Sequence, residues 1–108
     1  MKKRMFAVKD AKVEAYLSPF TMMTEAEAIR AFTTTCLDES TNFNKHPEDY
    51  DLYLVGDWDE ESGIVESMPP KHLVHAKTIL DKEIKDRDTR INDLLTRIEI
   101  LEKGENAK

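Results

Sequence analysis

The sequence has little cysteine and no long apolar run. Its 108 residues include one cysteine, Cys36, so an internal disulfide cannot form and a reducing compartment is expected. No apolar run approaches the roughly 18–20 residues that a membrane-spanning helix needs, so we expect no membrane partner. The apolar run after the basic start is also too short for a signal peptide. These absences predict a soluble protein of the cytoplasm.

Glycine is scarce, which limits the possible active sites. The only glycines are Gly56, Gly63 and Gly104, so no phosphate-binding glycine loop can form. Cys36 could suggest a thiol nucleophile, but it falls on the apolar face of a predicted helix. A buried structural thiol is the better interpretation. We expect no catalytic residues and a protein that is not an enzyme.

Residue patterns typical of metal sites are incomplete. His72 and His75 are three residues apart on a predicted helix, with no cysteine or acidic partner on the same turn, so they are expected to face solvent. The acidic run Asp57–Glu61 resembles a calcium loop, but Ser62 stands where glycine is needed and Met68 where the bidentate glutamate belongs. We predict no metal site and no cofactor.

The charge is uneven along the chain. The net charge is −6, and residues 38–70 hold ten acidic residues against one lysine. The segments on either side are close to neutral. A field of this sign repels nucleic acid, so nucleic-acid binding would have to use a local basic patch.

The first 37 residues show two kinds of periodicity. Phe6 and Val8 alternate with Met5, Ala7 and Lys9, and a second alternating run contains Val13, Ala15 and Leu17. The pattern predicts two strands, the second of which ends at Pro19. Thr24 and Glu27 form a capping box at the start of a helix. This helix carries apolar residues at helical spacing and is predicted to end near Leu37; its apolar residues are Ala28, Ile29, Phe32 and Cys36.

The middle of the chain predicts a hairpin. Residues 38–49 are expected to be a polar loop. Tyr50 to Trp58 then alternates as a strand, with Tyr50, Leu52, Leu54 and Trp58 on one face. Asp59–Gly63 has the length of a hairpin turn, and Ile64 and Val65 begin the return strand. The predicted fold class is α+β, with a small antiparallel sheet in ββαββ order and one packed helix over residues 1–68.

Residues 69–108 form the second predicted unit, after the break at Pro69-Pro70. From about Lys71 to Lys103 there is neither proline nor glycine, and Gly104 is expected to end the helix. Isoleucine at heptad position a with leucine at d favours a parallel two-stranded coiled coil. Arg87 at d is unfavourable in a tight dimer and could set a higher oligomer state, and mixed charge pairs across the seam leave orientation and strand number open. The alternative is an amphipathic helix packed on its own domain. The predicted oligomerisation residues are Leu80, Ile84, Arg87, Ile91, Leu94, Ile98 and Leu101.

A few residues suit nucleic-acid binding. Tyr16 and Tyr53 fall on the polar side of their strands, where they could stack on unpaired bases. Phosphate contacts could come from five basic residues: Lys2, Lys3, Arg4, Lys9 and Lys12. Alternatively, both tyrosines are simply favourable strand residues, since Asp51 and Asp57 are predicted to share the face of Tyr53.

Two segments resemble a known family. They are residues 6–32, with Ala15-Tyr16-Leu17-Ser18-Pro19-Phe20 at their centre, and residues 43–63, which include Asp49-Tyr50-Asp51-Leu52-Tyr53-Leu54-Val55-Gly56-Asp57-Trp58-Asp59. Together they resemble the small nonstructural protein of gokushoviruses, which are single-stranded-DNA bacteriophages of the microvirus group. The resemblance covers roughly residues 5–67. It implies a phage protein of the host bacterial cytoplasm, often described as DNA-binding, and it transfers no catalytic or binding residues.

Two functions follow as hypotheses. The first is a phage accessory protein that binds single-stranded DNA as a homo-oligomer during genome replication or packaging. The second is an acidic protein–protein adaptor, or DNA mimic, whose segment 48–61 meets a basic phage or host protein. A hydrolase or nuclease has no supporting motif.

Overall fold

The structure, a computed structural model, describes residues 1–106. Five strands and three α-helices follow one another as β1 (Lys2–Asp10), β2 (Ala15–Tyr16), β3 (Phe20–Met22), α1 (Glu25–Leu37), α2 (Asn42–Lys45), β4 (Tyr50–Asp59), β5 (Val65–His75) and α3 (Ala76–Asn106). The strands form one antiparallel sheet in the order β2-β1-β4-β5, with β3 also paired to β1. The predicted α+β class with a long C-terminal helix is confirmed.

The N-terminal strands differ in detail from the prediction. β1 is long, while β2 is reduced to a two-residue pairing with the end of β1. Pro19 does end that run, but the chain then returns to pair Phe20 with Phe6. Their rings stack with centroids 5.8 Å apart. β2 and β3 therefore share one edge of β1, and β3 was missed because its three residues are too few to show alternation.

Helix α1 has the predicted bounds. Thr24 is its N-cap, and the Thr24 hydroxyl accepts a hydrogen bond from the Glu27 backbone N–H at 3.1 Å. Ala28, Phe32 and Cys36 are buried on the face that meets the sheet. The position of Cys36 confirms the prediction of a buried structural thiol.

The core lies between this helix and one face of the sheet. Phe6, Val8, Leu52 and Leu54 supply the sheet side, and each is at most 5% exposed. Residues 38–49 were predicted to be loop, but they contain α2 and a 3₁₀ turn at Pro47–Asp49. These short elements close the core because Phe43 packs on Tyr50 at a centroid distance of 4.5 Å.

A bulge changes which residues of β4 face the core. Leu54 pairs with Phe6 and Gly56 pairs with Met5, so Val55 is left without a partner on β1. Beyond it, Arg4 pairs with Asp57 and also contacts Glu25 of α1 at 3.5 Å. Asp57 therefore lies on the helix side. The prediction that Trp58 shares the core face was wrong, because the inserted residue reverses the alternation.

The hairpin turn at Asp59–Gly63 is confirmed, but β5 continues through the predicted break. Pro69 and Pro70 lie inside β5. Leu54 pairs with Lys71 and Gly56 with Ser67, so both prolines sit in a second bulge. β5 is also an edge strand, and a proline is tolerated at an edge because no neighbouring strand needs its missing N–H.

Helix α3 begins at Ala76, five residues later than Lys71, and it continues through Gly104, where we expected it to end. Ala76 is fully buried and Ile79 packs on the core, so the first turn belongs to the domain. The next turns, as far as Arg87, line a groove beside the domain, and the rest of the helix projects outward, so the molecule measures 76 × 33 × 22 Å. Among the helices described over residues 1–106, none is both long and apolar enough to cross a membrane.

Candidate nucleic-acid interface on the open face of the sheet

Within residues 1–106, no helix covers the face of the sheet opposite α1, and we call it the open face. Residues that pair directly across antiparallel strands share a face. Ala7 pairs with Tyr53, Lys9 pairs with both Tyr16 and Asp51, and Tyr53 pairs with His72. These pairs alternate with the core residues Phe6, Val8, Leu52 and Leu54 along the same strands, so they lie on the open face.

An aromatic row crosses this face. The Tyr16 and Tyr53 rings meet edge to face with centroids 5.5 Å apart, although the residues are 37 positions apart in the sequence. Tyr53 meets the His72 ring in the same manner at 5.3 Å. Ala7, which pairs with Tyr53 on this face, is only 3% exposed although it lies outside the core cluster. The Tyr16 and Tyr53 rings thus meet across β1, which lies between β2 and β4.

Lys9 brings positive charge to the aromatic row. Its Nζ lies 5.7 Å from the centroid of the Tyr16 ring, within the range of a cation–π contact. Lys12 is exposed in the turn that follows β1, where its backbone N–H donates to Asp10 Oδ1 at 2.9 Å. Of the five predicted phosphate-binding residues, the structure thus places Lys9 against Tyr16 and Lys12 in the turn between the strands that carry Lys9 and Tyr16.

The other three predicted cations lie elsewhere. Lys3 and Lys9 are six residues apart on one strand, which places them about 20 Å apart at the usual rise per residue. Each N-terminal cation also contacts a carboxylate. Lys2 lies 3.3 Å from Glu66. Lys3 lies 2.7 Å from Glu60, and Arg4 lies 3.3 Å from Asp57. The N-terminal cations are therefore partly neutralised by the acidic end of the β4–β5 hairpin.

Two histidines share one carboxylate beside the aromatic row. His72 Nε2 and His75 Nδ1 lie 2.8 and 2.9 Å from Asp51 Oδ1. An ionised carboxylate only accepts hydrogen bonds, so each ring nitrogen donates to it. The prediction of helical histidines was wrong, because both belong to β5. No local signal in the sequence marks this strand, because residues 71–75 do not alternate and follow two prolines.

The predicted oligomerisation residues form a stripe along α3. From Ile84 to Leu101 the apolar members of the stripe are 49–69% exposed, while Leu80 is half-buried at the base of the helix. A single chain leaves most of this apolar surface in water. Leu95 and Ile100 are likewise exposed but lie beside the stripe.

Comparison with known proteins identifies a family. The sequence model of a family described as "Phage ORF5 protein" matches residues 3–79. No curated protein and no solved structure matches. The matched region covers all of the sheet except Lys2, the helices packed on it and the first turn of α3.

Proposed function

This chain belongs to the phage ORF5 protein family, and on that premise we propose that it binds single-stranded DNA as a homo-oligomer. The role would be that of a non-enzymatic accessory protein in genome replication or packaging, acting in the host bacterial cytoplasm. The observation that carries the proposal is the row of Tyr16, Tyr53 and His72 on the open face, with Lys9 beside it.

The open face has the features that unpaired bases need. Aromatic rings on a sheet stack with bases of any sequence, at roughly 1–3 kcal/mol per base. Duplex DNA keeps its bases stacked inside, so this row favours single strands. Lys9 and Lys12 offer phosphate contacts at one end of the row. Asp51 carries the opposite charge on this face, but it is engaged by two imidazole N–H groups.

The net charge of −6 makes a single site weak, because the overall field repels DNA. Self-association through α3 would compensate. Once one copy holds a strand, a linked second copy binds it at a high effective concentration, which can raise avidity by about 10²–10⁴-fold. The exposed stripe on α3 is the surface that suits such self-association.

The test is a titration of fluorescently labelled single-stranded DNA against the wild type and two double variants. Replacing Tyr16 and Tyr53 by alanine removes both rings, and we expect affinity to fall at least about tenfold, the equivalent of roughly 1.4 kcal/mol. Replacing both by phenylalanine keeps the rings and serves as the matched control. Equal affinity for all three proteins would refute stacking on this face.

The salt dependence separates the two groups of cations. The logarithm of the binding constant falls with the logarithm of salt by about 0.7 for each single-strand phosphate contact. Lys9→Ala should reduce that slope by about one contact. Lys3→Ala should leave it unchanged, since Lys3 is paired with Glu60 and distant from the tyrosines. The reverse result would move the binding site to the N-terminus.

The adaptor hypothesis has less support from the geometry. Its acidic segment is divided among three places, because Asp51 bonds to histidines on the open face while Asp57 and Glu60 pair with cations of β1. Glu48 lies apart, in the 3₁₀ turn. A protein that binds no single-stranded DNA at low salt, yet recovers one stoichiometric partner from infected cells, would favour this alternative.

A further inference from the structure

The heptad stripe of α3 continues into a groove at the base of the helix. The groove has a volume of about 520 Å³ and separates α3 from the segment between α1 and β4. Its helix wall contains four residues at heptad positions a and d, flanked by Asp81 and Glu83, and its other wall belongs to the sheet domain. The a and d residues are Lys77, Leu80, Ile84 and Arg87, and the opposite wall includes Leu37 and Pro47.

We propose that this groove receives the C-terminal end of α3 from a second copy of the chain, running antiparallel, in a two-fold symmetric dimer. The proposal deepens the self-association on which the proposed function rests. Reversing one helix makes each a residue face a d residue, and a two-fold axis at Thr89 pairs the complete stripe. Lys77 then meets the partner's Leu101, Leu80 meets the partner's Ile98, Ile84 meets the partner's Leu94, and Arg87 meets the partner's Ile91.

The attached domain favours this orientation over a parallel one. In a parallel dimer, Lys77 and Leu80 of both copies would have to meet inside the groove. In each copy the last strand of the sheet domain ends at His75, two residues before Lys77. The two domains would therefore occupy the same space. In the antiparallel dimer only a bare helix enters the groove. The groove then has to accommodate only one helix, which is about 10 Å in diameter.

The charges near the seam also distinguish the two orientations. A parallel pairing places Arg87 against the partner's Arg87 inside the seam, while the antiparallel pairing places it against an isoleucine. Glu83 lies beside Arg87 and Arg90 of its own helix, at 3.4 and 3.6 Å. In the antiparallel register Glu83 also faces the partner's Arg97, and symmetry repeats that pair.

Like charges do meet near the axis of the proposed dimer. Asp88 faces the partner's Asp88 on one side of the seam, and Arg90 faces the partner's Arg90 on the other. Both positions flank the seam and are exposed in the single chain, so the repulsion is small and screened by salt. The parallel alternative instead sets Glu83 against the partner's Asp88 on both sides.

Two neighbouring isoleucines test whether the stripe is the interface. Ile98 lies in the seam and is predicted to meet the partner's Leu80 in the groove, whereas Ile100 lies outside the seam. Both side chains are exposed in the single chain, at 49% and 64%. Ile98→Asp should convert the dimer to monomer by light scattering. Ile100→Asp, the matched control, should remain dimeric. Equal effects of the two variants would overturn the interface.

Disulfide trapping tests the orientation. Ile84→Cys and Leu94→Cys are prepared as separate full-length chains of different tag length, each also carrying Cys36→Ala. Under mild oxidation, the antiparallel dimer gives mainly the mixed crosslink between the two variants, because position 84 faces position 94. Efficient crosslinking of each variant to itself would establish a parallel dimer and overturn the proposal.

These readouts separate the two proposals. A monomeric wild type overturns the dimer while leaving the DNA titration of the open face to be judged by itself. A mixed crosslink in a protein that does not bind DNA supports the dimer and refutes the proposed function.

Discussion

Replacing Gly56 by alanine tests how closely β4 and β5 approach at the second bulge. Gly56 is buried and pairs with Ser67 across the two strands. A Cβ atom built on Gly56 would lie 2.5 Å from the carbonyl oxygen of Glu66, and real Cβ atoms essentially never come closer than 3.0 Å to another atom. The obstacle is backbone, so no side-chain rotation relieves it.

The expected loss of stability follows from that distance. The strands must separate by about 0.5 Å beside a bulge that already interrupts the pairing. Overpacking of this kind costs about 1–3 kcal/mol, and the lower backbone entropy of the unfolded alanine chain offsets about 0.4–1 kcal/mol. We expect a net loss of roughly 1–2 kcal/mol, which for a domain of this size lowers the Tm by roughly 5–15 °C.

The assay is thermal and urea unfolding at a fixed protein concentration, because self-association makes the transition concentration-dependent. Trp58, the only tryptophan, reports by fluorescence, and circular dichroism serves as a second probe since Trp58 is close to the mutation. Ser67→Ala, at the exposed residue opposite Gly56, is the control and should stay within about 0.5 kcal/mol of wild type. An unchanged or higher Tm for Gly56→Ala would refute the close approach.

Two further predictions concern helix α1 and the residues it buries. Thr24→Ala removes the acceptor for the Glu27 N–H and should cost about 0.5–2 kcal/mol in urea unfolding, whereas Thr24→Ser should be nearly neutral; equal losses would contradict a capping role. Burial raises the pKa of the Cys36 thiol from 9.0 to about 11. The buried neutral thiol therefore contributes its full stabilisation below pH 9, and this stabilisation is lost as the pH rises through 11. Burial, followed by the charges of Asp10 and Asp49, raises the pKa of Tyr50 and acts in the same direction. Cys36→Ala should therefore weaken, without abolishing, the alkaline loss of urea resistance, and an identical pH profile would exclude a contribution from the thiol.

Local signals predicted α1 well. The capping box at Thr24 and the helical spacing of Ala28, Phe32 and Cys36 involve residues within two or three turns of one another. Their effect does not depend on the rest of the chain, because the hydrogen bonds of a helix are internal to it. The strand from Tyr50 was predicted for a similar reason. Successive side chains of a strand point to opposite faces, so a sheet with one buried face produces an alternation that is visible within the strand itself.

Predictions failed where pairing between distant segments decides the structure. By themselves, Pro69 and Pro70 would end a strand or begin a loop. In the fold, however, β4 pairs with the residues on either side of them, and both prolines lie unpaired in the bulge. The strand therefore continues to His75, and α3 starts later than predicted. The reversal at Val55 has the same origin, because a bulge is defined only by the partner strand.

The sequence by itself determined the α+β class, helix α1, the hairpin and the apolar stripe of the last helix, because each depends on periodicity within a short stretch of chain. The tertiary structure decided which residues share a surface. It brought Tyr16, Tyr53 and His72 into one row and paired Lys3 with Glu60 at the far end of the same strand. The physical reason is that strand register, set by backbone hydrogen bonds and core packing together, joins residues that no local pattern connects.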